Sequence, residues 1–280
     1  MDALRVVKRH GPRVLIHLFL IPLCIVFVFP VLYIGFTAFK TEQDIYQSLS
    51  LIPSPFTLEN WHSIFASGVR IFDYYRNSII ITACSVLLVL LFASTAGYGF
   101  AKFDFPGKKT FFAVVTLIIT FPLAALLIPL FIMEFELKIY NTLLGLILPI
   151  SATRLPLAIF IMMSFFVGVP DELREAAVID GASQIQTFLR VMLPLAKNGY
   201  IVVSILTFQA VWGEYPLSRT LADNVRALPL SVGLTYLKYE HWNFGIMSMI
   251  LLIAVAPPII FFFFFRKYTQ YGINVGGIKG

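Results

Sequence analysis

Six long stretches of apolar residues, separated by more polar segments, dominate the pattern of the 280-residue chain. A helix that crosses a membrane needs roughly 20 mostly apolar residues. Stretches near that length predict six transmembrane helices, at about residues 14–36, 77–101, 110–133, 142–166, 196–213 and 244–265. Two of the polar segments between them, residues 168–197 and 214–243, are the main candidates for functional loops.

The composition favours an integral membrane protein over a soluble one. Apolar residues make up 59% of the chain and charged residues 13%, against about 45–50% and about 25% in soluble domains. We therefore predict an all-α integral membrane protein with a single transmembrane domain over residues 1–280. The net charge of +6 is small and spread over loops, so we expect contact with membrane lipid and no binding of nucleic acid.

The distribution of lysine and arginine predicts the orientation of the helices, because short cytoplasmic loops are enriched in both residues. With a cytoplasmic N-terminus, thirteen of the 21 lysines and arginines fall on the cytoplasmic side and seven on the other side. The remaining one, Arg154, lies inside the fourth predicted helix. We expect both termini and the segment 168–197 in the cytoplasm, and the segment 214–243 outside it.

The sequence lacks the common motifs of nucleotide binding and catalysis. There is no G-x-x-x-x-G-K-[S/T] segment, so we expect no ATP to bind this chain through a P-loop. The four histidines are scattered and H-E-x-x-H is absent, which predicts no metal site. An ion-coupled secondary transporter remains an alternative, but the predicted helices offer almost no acids as ion relays. We expect a transport subunit that is not itself an enzyme.

The segment 168–197 is charged and amphipathic, unlike the apolar stretches that flank it. Pro170 followed by two acids favours the start of a helix, and Gly181 can adopt the left-handed conformation that ends one. A second amphipathic pattern begins near Ile185 and stops at Pro194. The segment therefore predicts two short helices joined at a glycine.

This helix pair has two interpretations, a helix that rests on lipid headgroups or a helix that docks into another protein. Residues 171–180 carry four acids and one arginine, whereas helices at a membrane surface prefer basic residues on their polar face. Ala176 and Ala177 lie on one face of the first helix, which suits docking into a groove. We favour the docking interpretation.

The sequence EAAVIDGAS (175–183), followed by LPL (193–195), resembles the EAA loop of the permease subunits of ABC importers. Segments such as RNSIIIT (76–82), NTLLGLILP (141–149) and VWGEYPL (211–217) resemble the carbohydrate branch of that family, similar to the inner subunit of maltose-type importers. The residues that match the EAA motif are Glu175, Ala176, Ala177, Asp180, Gly181, Ala182, Leu193 and Pro194. The resemblance covers nearly the whole chain.

The resemblance implies a type I ABC importer permease fold in the inner or plasma membrane of a prokaryote. In that family the EAA loop forms a coupling helix that sits in a cleft of an ATPase subunit. The expected partners are a second, non-identical permease, two ATPase subunits and an extracytoplasmic substrate-binding protein. ATP and Mg²⁺ would bind the ATPase subunits, and this chain would bind no cofactor.

The resemblance also implies that the segment 214–243 reaches into the docked binding protein, although a solvated connector is an open alternative. The candidate contact residues are Asp223, Asn224, Arg226, Leu228, Pro229 and Gly233. Candidate residues of the substrate path are Arg154, Gln209, Trp212, Glu214 and Tyr215. The aromatic members of that set also fit a membrane interface, and the family usually has asparagine where Gly213 stands.

Arg154 lies about twelve residues into the fourth predicted helix, near the middle of the membrane. A charge at that depth normally faces a cavity or a partner. Arg154 could donate hydrogen bonds to substrate hydroxyls. Alternatively, a shifted helix start would let its side chain snorkel to the membrane surface or pair with an acid of the other permease. The expected cargo is an oligosaccharide or glycoside, with a glycerol phosphoester, compatible solute or amino acid as alternatives.

Overall fold

The structure is built from helices. In this computed structural model the backbone is described for residues 2–66, 70–240 and 243–275, and the side chains for residues 16–66, 70–236 and 243–265. Within those ranges every regular element is helical. The helices are α1 (Asp2–Thr37), α2 (Glu42–Gln47), α3 (Glu59–Ala66), α4 (Ile71–Lys102), α5 (Lys108–Thr120), α6 (Leu123–Glu136), α7 (Leu143–Val167), α8 (Asp171–Ile179), α9 (Gln184–Thr187), a π-helical turn (Phe188–Met192), α10 (Leu193–Leu195), α11 (Lys197–Trp212), α12 (Pro216–Leu221), α13 (Leu230–Glu240) and α14 (Phe244–Val275).

Four helical segments are long and apolar enough to cross a membrane by themselves. They are Ile16–Thr37 within α1, the whole of α4, the whole of α7, and Phe244–Phe265 within α14. Two further pairs reach that length only together and are bent, α5 with α6 by 101° and the segment Gln184–Leu195 with α11 by 74°. The described part of the chain thus holds four candidate spans, or up to six if each bent pair is one span.

The bend between α5 and α6 divides the segment 110–133, for which the sequence predicts one helix. Phe121 and Pro122 are both extended, with ψ of 127° and 124°. Proline has no N–H to continue the helix, and it disfavours the helical conformation of the residue before it. The prolines inside α6 and α7 do not end those helices, so proline alone does not fix the position of the break.

The chain divides into two compact units. The first consists of residues Met1–Val69 and Leu237–Ala256, and the second of Arg70–Tyr236 and Pro257–Gly280. In the first unit the buried Asn60 amide donates hydrogen bonds to the carbonyls of Ala38 (3.0 Å) and Lys40 (2.8 Å). These bonds hold α3 against the end of α1. The side chains of α1 from Ile16 to Leu32 are exposed in the chain alone and suit contact with lipid or with a partner.

The core of the second unit lies between α4, α7 and α11. It includes Val89 and Ala93 of α4, Met162 and Phe166 of α7, and Val203 of α11. The helices approach closely at two glycines. A Cβ added at Gly97 would lie 2.8 Å from the Cβ of Met162, and one added at Gly199 would lie 2.9 Å from the ring of Phe165. Small residues at these points therefore allow the tight packing that helices in membranes use.

Candidate functional site

The segment 168–197, here called the coupling segment, contains the two short helices that the sequence predicts. The first, α8, ends before Gly181, which has φ +87° and carries the chain out of the helix. The second begins at Ser183, whose hydroxyl accepts a hydrogen bond from the Gln186 N–H while the Gln186 side chain accepts one from the Ser183 N–H. This reciprocal pair is a capping box, and it satisfies N–H groups at the start of the second helix.

A buried lysine attaches the coupling segment to the end of α4. The Lys102 ammonium donates a hydrogen bond to the Val169 carbonyl (2.6 Å) and lies 2.8 Å from Asp171 Oδ1. The hydrogen bond from Lys102 lowers the pKa of the Asp171 carboxyl below its usual range. Lys102 is 3% exposed, whereas Asp171 is 61% exposed. The start of α8 is therefore held by a cation that α4 supplies from the interior.

Arg174 adds a second connection between the same two elements. Its guanidinium lies 5.9 Å from the centre of the Phe103 ring, just past the end of α4, which is within the range of a cation–π contact. It also lies 3.8 Å from Glu175 and 4.0 Å from Asp171. α8 is thus joined to the end of α4 at its first turn, and it also packs against α9 and the π-helical turn.

The surface that the coupling segment presents is apolar as well as acidic. Glu175, Ala176, Asp180 and Gly181 are exposed, and Ala177, Ala182 and Leu193 are half-buried, with Pro194 exposed. Large apolar side chains are exposed around them: Leu173, Val178, Ile179, Ile185 and Leu189. The residues of the EAA motif that the sequence singles out therefore lie in a segment that exposes several large apolar side chains, a feature typical of a protein interface.

The segment 214–243 is mostly ordered into α12 and α13, with an exposed turn between them; residues 241 and 242 lie outside the described residues. Asn141, with φ +62° in the connection between α6 and α7, fixes this turn. Its side chain donates to Asp223 Oδ1 (2.6 Å) and accepts from the N–H groups of Asp223 (3.2 Å) and Asn224 (2.9 Å). The Asn224 side chain in turn accepts from the Arg226 N–H (3.0 Å). Asp223, Asn224 and Arg226 form an exposed, rigid turn.

The other three predicted contact residues of this segment are buried. Leu228 and Pro229 are buried, and a Cβ added at Gly233 would lie 2.4 Å from the Tyr74 ring. Asn77 donates to the carbonyls of Val225 and Leu228, both at 3.0 Å. Leu228, Pro229 and Gly233 therefore anchor the segment to α4, and in this conformation they form no part of the exposed surface.

Glu214, predicted as a residue of the substrate path, is buried and bonded inside its own unit. Its carboxylate accepts hydrogen bonds from the N–H of Leu217 (2.8 Å), and from the N–H (2.8 Å) and hydroxyl (2.6 Å) of Ser218. Three donors satisfy an acceptor-only group, and Glu214 is 4% exposed. In this conformation Glu214 caps the first turn of α12 and does not line a cavity.

Arg154 lies in α7 on the wall of a cavity of about 290 Å³. The cavity is lined by residues of α7, α11 and the bent pair α5–α6: Ile118, Ile119, Phe121, Leu123, Leu126, Thr153, Arg154, Leu157, Ala158, Ile161, Val203, Leu206, Thr207 and Ala210. The Arg154 Nε is buried and has no hydrogen-bond partner among the described residues. A charged side chain at the centre of a membrane helix costs about 2.5–3.5 kcal/mol on insertion scales, so this group requires a partner from outside the lining.

The remaining path candidates lie elsewhere. Trp212 faces a different groove of about 500 Å³ on the other side of α11, where its ring stacks on Phe208 (5.8 Å) and meets Tyr75 edge-on (5.7 Å). Gln209 and Tyr215 are exposed and line neither hollow. The five predicted path residues therefore do not converge: among the described residues Arg154 and Trp212 line two different hollows.

Sequence comparison relates the chain to membrane components of transport systems. The profile of a family described as "binding-protein-dependent transport system inner membrane component" matches residues 90–273. The arabinooligosaccharides transport system permease protein AraQ of Halalkalibacterium halodurans is 32% identical over 90% of this chain and 91% of its own length. The trehalose transport system permease protein SugB of Mycobacterium tuberculosis is 31% identical, over 90% and 92%.

Structure comparison gives a matching fold. A chain from the crystal structure of a bacterial ABC transporter involved in the import of the acidic polysaccharide alginate matches with a TM-score of 0.82 and 20% identity, over 94% of this chain and 98% of that one. A chain from the complex of the alginate transporter with an alginate pentasaccharide-bound periplasmic protein has a TM-score of 0.68 and 14% identity, over 95% and 98%. The all-helical fold is therefore that of ABC importer permeases.

Proposed function

The chain belongs to the binding-protein-dependent transport system inner membrane components, and on that premise we propose that it moves a sugar across the membrane in an importer driven by separate ATPase subunits. Members of the family are multi-pass membrane proteins and transport subunits rather than ATPases. Two relatives named for arabinooligosaccharides and trehalose support a saccharide as the cargo. The expected assembly contains a second permease, two ATPase subunits that bind ATP and Mg²⁺, and an extracytoplasmic binding protein.

Six spans with both termini in the cytoplasm are part of this proposal. Four long helices and two bent pairs support the number six, and an even number of spans leaves both ends on one side. The excess of lysine and arginine on the inferred cytoplasmic side supports the orientation. In this arrangement the coupling segment faces the ATPase subunits, and the turn at Asp223–Arg226 faces the binding protein.

The observation that carries the coupling role is the way α8 is held. Its first turn is bonded to the end of α4 through Lys102 and Asp171, while Ile179 and Ile185 beyond it are 84% and 71% exposed. An apolar surface of this kind needs a cover. A helix fixed to a spanning helix at one end and inserted into an ATPase cleft at the other transmits the movement of that cleft to the membrane. ATPase coupling is thus assigned to Glu175–Ala182, together with Leu193 and Pro194.

Contact with the binding protein is assigned to the exposed part of the segment 214–243. Asp223, Asn224 and Arg226 carry charge and hydrogen-bonding groups on a turn that Asn141 holds rigid. A rigid turn loses little conformational entropy when it binds. The substrate path is assigned to the cavity of Arg154, with Gln209 and Tyr215 as exposed surface that a second permease could complete.

Uptake into proteoliposomes tests the proposed function. The complete importer, with both permeases and both ATPase subunits, would be supplied with its cognate binding protein loaded with radiolabelled saccharide. We expect uptake only when ATP is present on the side of the membrane that carries the ATPase subunits. This uptake should persist when ion gradients are collapsed. Uptake driven by an ion gradient without the ATPase subunits would instead establish an ion-coupled secondary transporter.

A further inference from the structure

We propose that the cavity beside Arg154 binds an anionic group of the cargo, so that the imported saccharide is an acidic one that carries a carboxylate, sulfonate or phosphate. This inference rests on the proposed function and narrows its substrate class. The juxtaposition that carries it is a guanidinium placed in the middle of a membrane helix, on the wall of an apolar cavity that supplies it with no acid.

The position of Arg154 in α7 separates it from the membrane surfaces. Arg154 stands eleven positions after the start of the helix at Leu143 and thirteen positions before its end at Val167. At helical rise these are distances of about 16 Å and about 20 Å. An arginine near a helix end reaches the headgroups with its side chain, but from this depth the guanidinium stays within the hydrocarbon layer.

The residues that line the cavity offer few hydrogen-bond acceptors and no negative charge to the Arg154 guanidinium. Of the residues that line it, Thr153 and Thr207 are the polar companions of Arg154, and none is acidic. The Thr153 hydroxyl already donates to the Ile150 carbonyl. The buried Glu214 is not in the lining, and the groups of its own cap engage it. Arg154 therefore lines the cavity with a buried Nε that no described residue pairs.

An anion fits this cavity better than a hydroxyl does. The guanidinium remains charged at any physiological pH and presents five donors in a planar fork. A hydroxyl accepts a hydrogen bond but leaves the charge uncompensated, whereas a carboxylate, sulfonate or phosphate accepts two parallel hydrogen bonds and neutralises it. The apolar wall strengthens the attraction because little water competes for either group. A half-buried arginine whose Nε has no partner among the described residues thus selects for negative charge on the cargo.

The first part of the test identifies the charge of the cargo. The cognate binding protein would be titrated by thermal shift and calorimetry with uronates, sulfonated sugars and sugar phosphates, and with the neutral parent of each. We expect one anionic saccharide to bind at least 100-fold more tightly than its neutral parent. A neutral saccharide as the preferred ligand overturns the inference and leaves the proposed sugar import intact. A ligand that is no saccharide contradicts the proposed function itself.

The second part tests the residue in the complete importer. With the anionic saccharide so identified, Arg154→Gln should lower its uptake about 100-fold, since one partner of a desolvated charge pair is lost, and Arg154→Lys should retain most of the uptake. Arg76→Gln, which removes an exposed guanidinium of α4, is the matched control and should transport normally. Basal ATP hydrolysis by the Arg76→Gln importer should equal that of the wild type.

Three other results would overturn the assignment. Wild-type uptake by Arg154→Gln would mean that the guanidinium does not contact the cargo. Loss of the second permease from the purified complex of Arg154→Gln would identify an acid of that subunit as the partner. The third result concerns lipid. If Arg154→Gln lowered the melting temperature only in vesicles that contain anionic lipid, and uptake in vesicles of phosphatidylcholine alone was unaffected, the partner of the guanidinium would be a lipid phosphate.

Discussion

The ammonium of Lys102, at the end of α4, lies 2.8 Å from the carboxylate of Asp171, at the start of α8. The two residues are far apart in sequence and belong to a candidate membrane span and to the coupling segment. The lysine is buried and the aspartate is exposed, so the pair is anchored from inside the helix bundle. Any displacement of α8 by a partner therefore acts directly on the end of α4.

Removal of this ion pair should loosen α8 without unfolding the protein. Asp171→Asn removes the charge that pairs with Lys102 but keeps an oxygen that accepts a hydrogen bond, whereas Lys102→Met removes both contacts. We expect faster hydrogen–deuterium exchange in α8 for both variants, by several-fold or more, and the larger effect for Lys102→Met. Asp104→Asn, which breaks the exposed pair with Lys108, is the control and should leave exchange in α8 unchanged, because exposed pairs contribute little. Equal exchange in all three variants would rule out the anchor.

The same contact should depend on pH. Because the hydrogen bond from Lys102 lowers the pKa of Asp171 in the folded protein, the stabilisation is present above the ordinary aspartate pKa and is lost as the pH falls through the lowered value. A nitroxide on Val178→Cys, in a chain with Cys24→Ser and Cys84→Ser, should therefore become more mobile in that acidic range. Asp171→Asn should be mobile throughout and show no such transition. A transition of the same size in that variant would assign the pH dependence to another group.

Asn141 should matter for communication with the binding protein. Asn141→Gly keeps the positive φ but removes the hydrogen bonds to Asp223 and Asn224. We expect stimulation of ATP hydrolysis by the binding protein to fall about tenfold, the effect of roughly 1.4 kcal/mol from lost hydrogen bonds, with basal hydrolysis unchanged. Lys138→Gly lies in the same connection at φ +58° and is the matched control. If the binding protein stimulated ATP hydrolysis fully in Asn141→Gly, this turn would have no role in communication with the binding protein.

Gly233 should act through packing and not through contact with the binding protein. A Cβ at this position would lie 2.4 Å from the Tyr74 ring, and overpacking of this kind typically costs about 1–3 kcal/mol. Gly233→Ala should lower the melting temperature of the assembled importer. If the Gly233→Ala importer were stable but failed to bind its binding protein, Gly233 would be part of the contact surface.

The sequence predicts the parts of this structure that depend on local pattern. The coupling helices follow from the acids after Pro170, the glycine at position 181 and the amphipathic spacing that begins at Ile185. α4 and α7 follow from their apolar length. These features are visible because the residues that determine them are neighbours along the chain.

Long-range contacts explain what the sequence does not predict. Asn141 bonds to residues 82 and 83 positions later, and Asn77 to a carbonyl 148 positions later. No local sequence pattern identifies two residues that bond over such a distance, although a polar asparagine at the end of a span is a residue that sequence analysis can select for mutation. The burial of Glu214 and Gly233 depends on the same packing. The break at Pro122 also depends on tertiary context, because other prolines in similar surroundings leave their helices continuous.

Uptake measured per ATP hydrolysed tests most directly the claim that the coupling segment connects the ATPase subunits to the membrane helices. The variant combines Glu175→Ala with Gly181→Ala in one chain. The first change removes an exposed acid of the motif. The second places a side chain at φ +87°, where it clashes with no neighbouring atom but strains the backbone. Gly213→Ala, which has room for a Cβ at ordinary φ, is the control. We predict an assembled importer in which binding-protein-stimulated hydrolysis and uptake no longer rise together. Unchanged uptake per ATP in the double variant would contradict the coupling role.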